Sequence, residues 1–159
     1  MAVQLLLFRV WLSRVGLTLC AVFFVATTNA ELEIEGGYVR GLPPGQPVTA
    51  AFMRLINTGN SAVEINAATT DSAERAEIHV HRHSHGMMRM ERVGSIIVPA
   101  NGDFILAPGE YHLMLINLHK PLREGDSVNI ELHSKSGDVL TAQLSVRSVL
   151  NEHHEHQKH

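Results

Sequence analysis

The chain has 159 residues, a length typical of one domain, and its 45% hydrophobic content is sufficient for a single core. The net charge is −3, with no long basic run, which excludes the charge pattern of a nucleic-acid-binding protein. One cysteine excludes a disulfide scaffold, a thiolate zinc finger and a Cys-ligated iron–sulfur cluster, which leaves eleven histidines and six methionines as metal donors.

The first 30 residues have the pattern of a secretory signal peptide. Arg9 and Arg14 precede an uncharged segment, 15–26, and the triplet 28–30 ends in Ala30. The uncharged segment has 12 residues, well short of the about 20 that span a bilayer. We therefore expect cleavage after Ala30, export to the periplasm and no stable membrane anchor.

The single cysteine lies within this predicted signal peptide. Leu19 precedes Cys20 and is larger than the residue that lipoprotein cleavage prefers at that position. The expected mature chain, 31–159, has no cysteine and retains 11 of the 13 basic residues against all 16 acidic ones, a net charge of −5. A thiol-free chain suits an oxidising compartment, where free thiols are readily converted to disulfides.

From residue 31 onward, apolar and polar residues alternate in short segments, which is the period of β-strands. Strands are predicted at 32–40, 48–57, 61–69, 76–81, 87–92, 95–98, 103–106, 111–117, 128–133 and 140–147. Gly, Pro, Asn and Asp separate them, and no segment sustains a helical period. Eight to ten such strands predict one all-β domain over 31–150, an antiparallel β-sandwich or a small barrel.

The nine residues after Leu150 are all polar and predict a flexible tail, 151–159. Four of them are histidines: His153, His154, His156 and His159. Imidazoles beside the carboxylates of Glu152 and Glu155 would suit Cu(II) or Zn²⁺ better than Cu(I). Our hypothesis is that the tail binds a second metal ion, Cu(II).

Histidine and methionine are also clustered inside the domain. Four histidines occupy alternate positions, His79, His81, His83 and His85, and are followed by Met87, Met88 and Met90. Residues i and i+2 of a strand share a face, so His79 and His81 should face outward while Ile78 and Val80 face the core. His112 and Met114 should share the outer face of a later strand, and the donors converge if these strands are neighbours.

Imidazole and thioether together form a selective donor set. A thioether is soft and uncharged, and it suits Cu(I) far better than Mg²⁺, Ca²⁺ or catalytic Zn²⁺. A blue-copper centre would need a Cys thiolate, which the mature chain lacks. The donors therefore predict a site for copper, as Cu(I).

The spacing of four of these residues, His79-x10-Met90-x21-His112-x-Met114, resembles the signature of the periplasmic PCuAC-type copper chaperones. The surrounding sequence at 77–79, 86–90, 106–115, 121–126 and 57–59 is also similar, so the resemblance covers residues 32–147. It implies a cupredoxin-like β-sandwich that binds one Cu(I) through these two histidines and two methionines. It further implies delivery of copper to the CuA centre of cytochrome c oxidase, directly or with a Sco-type partner.

Other donors near this signature leave alternatives open. Met88 shares strand parity with Met90 and could be a spare thioether, and Met53 and Met87 are interpreted as core or surface residues. His81, His83 and His85 are either auxiliary metal donors or solvated residues of a loop. His119 and His133 are interpreted as surface residues.

The functional alternatives to a chaperone are a periplasmic copper buffer or resistance protein, which would use the same pocket, and a small cupin-type metalloenzyme. The segment from Gly102 to Asn117 approaches the second cupin motif, but Gly109 follows Pro108 directly and a cupin leaves both methionine ligands unexplained. We therefore expect a monomeric copper-binding protein that is not an enzyme.

Overall fold

The structure is a computed structural model that describes residues 32–43, 45–84 and 86–149. Its ten elements are strands: β1 (Leu32–Gly41), β2 (Val48–Asn57), β3 (Val63–Thr70), β4 (Ala73–Ser84), β5 (Met87–Arg92), β6 (Ile96–Val98), β7 (Gly102–Leu106), β8 (Tyr111–Leu118), β9 (Ser127–Ser134) and β10 (Val139–Ser148). The predicted all-β fold is confirmed, and each strand overlaps one predicted segment. Within the described ranges, no helix has the length and apolar character to cross a membrane.

The strands form one sheet in the order β5-β4-β8-β2-β1-β10-β9-β3-β6, with β7 also paired to β2. Pairing of Ala68 on β3 with Ala76 on β4 joins the two ends of the series from β4 to β3. Seven strands thus close into a barrel-like sandwich, while β5 and β6 extend it at the edges. β5, the strand that carries Met90, is consequently paired with β4 alone among the described strands.

One strand pair departs from the antiparallel pattern that the sequence predicts. β1 and β10 are parallel, with Val39 opposite Val146. Hairpins produce antiparallel neighbours, whereas these two strands are joined only through the rest of the domain, so no short turn dictates their direction.

The core lies between the inner faces of these strands. Its largest fully buried side chains are Leu55, Ile65, Leu106, Leu113, Leu115, Ile130 and Leu132. Ile78 and Val80 of β4 are buried as predicted, which turns the alternate residues of β4 to the outer face. This alternation places the histidines of β4 on the outer face of the sheet.

A β-bulge in β1 sets the register beside that outer face. Gly36 and Gly37 both have positive φ, and a Cβ on Gly37 would lie 2.9 Å from the backbone oxygen of Phe52. Glycine is therefore required for this close approach. Beyond the bulge Tyr38 lies opposite Phe52, and their ring centroids are 5.1 Å apart.

Candidate metal centre

The donor-bearing strands are neighbours, with β4 paired to β8 on one side and to β5 on the other. His79 lies directly opposite His112, and His81 lies directly opposite Met90. Residues that face each other across a strand pair project to the same side of the sheet. The pairing therefore brings imidazole and thioether groups from three strands onto one face.

A cavity of about 220 Å³ opens on this face. Three of the four signature residues line it, namely Met90, His112 and Met114, and so does His81. His79 does not line the cavity, although its ring centroid lies 6.1 Å from that of His112. The ligand role of these residues stays a prediction, but their placement permits it.

His112 is the innermost donor, with only 3% of its surface exposed. Its Nδ1 lies 3.0 Å from the backbone oxygen of Glu110, and since a carbonyl only accepts, Nδ1 carries the proton. The lone pair of Nε2 is therefore free to bind a metal. Burial lowers the pKa of His112 below its usual 6.5, which favours the neutral form that coordinates metal.

His79 is oriented by a carboxylate. Its Nε2 lies 3.1 Å from Oε2 of Glu77, whose side chain is only 12% exposed. The hydrogen bond from His79, together with the charges of Arg92 and Arg75, lowers the pKa of Glu77 and keeps it ionised. Nε2 of His79 therefore donates a hydrogen bond to Glu77, and Nδ1 keeps its lone pair. Nδ1 is buried and has no hydrogen-bond partner among the described residues.

His81 lies closer to His112 than His79 does, with a ring separation of 4.9 Å. Its Nδ1 is also buried without a hydrogen-bond partner in the described part of the chain. The alternative in which His81 and His83 lie in a loop is wrong, because pairing with β5 extends β4 beyond the predicted strand end at residue 81 to Ser84. His85 lies outside the described residues, as do the tail histidines and the predicted signal peptide.

None of the remaining methionines and histidines in the described ranges lines the cavity. Met88 is exposed and lies opposite His83, which is exposed too, and neither lines the cavity. Met53 is buried in the core and Met87 is exposed, in agreement with the core and surface interpretation. His133 bonds Thr69 on another part of the sheet.

Among the described residues, no three His, Cys, Asp or Glu side chains come close enough to hold a metal by themselves. The cavity lining supplies two imidazoles, from His81 and His112, and two thioethers, from Met90 and Met114, so a metal ion that binds more than two of these four side chains requires sulfur as a ligand. This requirement favours a soft ion such as Cu(I) over Zn²⁺.

Three residues beside the donors were not predicted from the sequence. Glu77 shares the face of His79 two positions away, a parity that could have identified it. Arg40 and Phe52 line the cavity from β1 and β2, with the Arg40 guanidinium 4.9 Å from the Phe52 ring centroid. No local pattern marks these two, because their position depends on which strands become neighbours.

Comparisons with known proteins identify a family and one curated relative of this chain. The family model described as "Putative lipoprotein LpqE-like" matches residues 32–146. The "Putative lipoprotein Lxx21020" of Leifsonia xyli subsp. xyli (strain CTCB07) is 28% identical over 139 residues, which cover 83% of this chain and 82% of the relative.

Two solved structures are similar over most of the domain. The solution structure of CuI-DR1885 from Deinococcus radiodurans is 31% identical with a TM-score of 0.59, covering 77% of this chain and 81% of that one. The copper-bound PCuAC domain from PmoF2 has a TM-score of 0.63 at 17% identity, covering 75% of this chain and 94% of that domain. At 17% identity, the similarity to the PmoF2 domain shows a shared fold.

Proposed function

The chain belongs to the LpqE-like family, and we propose that it is an exported copper chaperone, not an enzyme, that binds one Cu(I) ion beside β4, β5 and β8. One observation carries this proposal: Met90, His112 and Met114, three residues of the copper signature, line one cavity. His79, the fourth, has its ring centroid 6.1 Å from that of His112, and its Nδ1 is buried without a hydrogen-bond partner among the described residues. The lipoprotein names of the family and the relative support export.

The donor chemistry supports Cu(I). Two thioethers and two imidazoles carry no charge, so bound Cu(I) keeps its +1 charge and forms no thiolate bonds. The similarity to the Cu(I) form of DR1885, at 31% identity, supports the same cargo here. Donors of this kind do not need a free thiol, so the site tolerates an oxidising compartment.

The arrangement of donors by depth supports transfer. His112 is buried, whereas Met90 on the edge strand β5 is 49% exposed. An acceptor can therefore reach the ion on the Met90 side while His112 still holds it. A thiolate-bearing acceptor would then replace the weaker thioether ligands one at a time. We propose that this acceptor is the CuA centre of cytochrome c oxidase, which receives copper directly or with a Sco-type partner.

The test is a Cu(I) titration against a competing chelator. Replacing both Met90 and Met114 by alanine should weaken Cu(I) binding at least 100-fold, because no other described thioether lines the cavity. Met87→Ala is the matched control, since Met87 lies on β5 but is exposed and outside the cavity. Unchanged Cu(I) affinity in the double variant would contradict the proposed site.

Delivery is tested separately. Copper-loaded protein should transfer Cu(I) to the apo CuA domain or to a Sco-type protein, and a strain lacking the chaperone should lose oxidase activity at low copper. Loss of copper tolerance with normal oxidase activity would instead identify the protein as a copper buffer.

A further inference from the structure

We propose that His83 and Met88, the outer donor pair, form a second and weaker Cu(I) site on the β4–β5 hairpin, through which copper enters and leaves the cavity. This inference rests on the proposed Cu(I) site and adds the route by which the ion reaches it. Neither residue belongs to the four-residue signature, and neither lines the cavity.

Strand register is the first observation. His83 lies directly opposite Met88, and the next such pair toward the cavity is His81 with Met90, both of which line the cavity. Residues i and i+2 of a strand share a face, so the two pairs project to the same side of the hairpin. Two residues of a strand rise about 6.7 Å. The outer donor pair therefore lies one short step outside the donors of the cavity.

The shape of the hairpin is the second observation. β4 pairs with β8 only as far as Val80, which lies opposite Tyr111. Beyond that point the described part of β4 is paired with β5 alone, so residues 82–84 and 87–89 extend past β8 as a two-stranded hairpin. His83 is exposed, and Met88 is 61% exposed. A copper carrier in solution can therefore reach the outer donor pair without movement of the barrel.

The distribution of charge is the third observation. Arg82 lies opposite Arg89 on the other face of the hairpin, and Arg82 also forms an ion pair with Glu91 at 3.1 Å. Since the strands alternate, the donor face over 81–84 and 87–90 carries only imidazole and thioether side chains among the described residues. A cation held by the outer donor pair therefore shares its face with no arginine from this part of the hairpin.

Donor chemistry assigns the ion. Residues directly opposite each other on paired strands have Cβ atoms about 4.5–5.5 Å apart, so the imidazole of His83 and the thioether of Met88 can contact one ion. This uncharged combination suits Cu(I), as in the cavity. Two donors hold the ion less tightly than four, so the outer site should fill after the cavity and should lose its copper first.

Transfer between the two sites needs only ligand exchange. The bond from copper to the Met90 sulfur forms as the bond to the Met88 sulfur breaks, and the imidazole of His83 is released as cavity donors bind. Copper remains Cu(I), and no proton or electron is transferred. Release to an acceptor follows the same steps in reverse.

The experiment uses the mature chain with its four tail histidines replaced by glutamine, so that the tail offers no second route. The outer donor pair is removed by His83→Gln together with Met88→Leu, which nearly preserve side-chain size. The matched control is His119→Gln with Met87→Leu, because both residues are exposed, Met87 lies on the opposite face of the hairpin and His119 lies outside it.

Stopped-flow absorbance follows the loading of Cu(I) from its bicinchoninate complex and its release to excess bicinchoninate. Without the outer donor pair both rates should fall about tenfold, a change within the range that association rates span among mutants of one site. The equilibrium affinity for the first Cu(I) should stay nearly constant, because it depends on the ratio of the two rates. A second, weaker Cu(I) should bind to the parent and the control at excess copper but not to the outer-pair variant.

Parent-like loading and release rates, with two Cu(I) ions still bound by the outer-pair variant, would overturn this inference and leave the proposed cavity site in place. Failure of the cavity site has a different result: the variant with both Met90→Ala and Met114→Ala would bind its first Cu(I) as tightly as the parent. The two failures are therefore distinguishable.

Discussion

Oε2 of Glu77 lies 3.1 Å from Nε2 of His79, and this contact leaves Nδ1 as the only nitrogen of His79 that can bind a metal. A carboxylate that holds the outer nitrogen of a histidine ligand fixes the tautomer and makes the ring a better donor. Glu77 is two residues from His79 on the same strand face, so no separate element has to position it.

Removal of this carboxylate should weaken copper binding. Loss of such a partner typically lowers metal affinity 10- to 100-fold, so Glu77→Ala should lower Cu(I) affinity at least 10-fold in a chelator competition. Glu91→Ala is the control, because Glu91 is an exposed carboxylate on β5 that pairs with Arg82. ¹⁵N chemical shifts of His79 should also show loss of the single tautomer; an unchanged tautomer and affinity would assign Glu77 a purely structural role.

A positive charge next to the ion should weaken its binding. Arg40 lines the cavity, and a partly screened like charge several ångströms from a bound cation lowers the binding free energy by about 0.5–1 kcal/mol. Arg40→Gln should therefore raise Cu(I) affinity about two- to fivefold, while Arg40→Lys, which keeps the charge, should stay close to wild type. Weaker binding in the glutamine variant would mean that Arg40 acts through packing on Phe52 and not through its charge.

The low pKa of His112 predicts how the protein responds to acid. Burial lowers this pKa below 6.5, with the nearby His81, His79 and Arg40 charges acting in the same direction. Between the folded pKa and 6.5 the unfolded chain binds more protons, so the free energy of unfolding should fall as the pH drops through that interval. The full contribution of neutral His112 is present above pH 6.5.

NMR titration of the His112 ring checks this prediction directly. Its midpoint should lie below 6.5, and urea unfolding should show lower stability of the copper-free protein at pH 5.5 than at pH 7.5. A midpoint at or above 6.5 would show that the ring is more hydrated than its 3% exposure indicates.

The tail should raise the copper stoichiometry. It contains four histidines in nine residues, and removal of 151–159 should eliminate one Cu(II) equivalent while leaving the Cu(I) equivalent in place. Metal analysis of protein that is first loaded with Cu(I) and then dialysed against Cu(II) measures the total copper count. An unchanged count would show that the tail histidines bind no copper.

The fold was largely predictable because several of its strands alternate between buried and exposed residues, most clearly β9. The period of two in β9 and β10 and the turn residues between strands are local features, and they predicted most strand bounds to within a few residues. The parallel pairing of β1 with β10 was not predictable, since no hairpin joins them. The predicted relation to PCuAC-type proteins is confirmed by the family match and the similar structures.

The candidate site was only partly predictable. The spacing from His79 to Met114 selected residues that the fold brings to one face, because i and i+2 share a side of a strand. It did not select His81 as a cavity residue, since that position depends on the register between β4 and β5. The place of Arg40 likewise depends on the order of β1, β2 and β8 in the sheet.

The most direct test of the copper site is X-ray absorption at the copper edge on Cu(I)-loaded protein. The proposed site predicts a mixed shell with two sulfur neighbours, from Met90 and Met114, and two nitrogen neighbours from imidazoles, and the Met87→Ala control should give the same spectrum. A shell of nitrogen and oxygen without sulfur would contradict the thioether site and, with it, the proposed function.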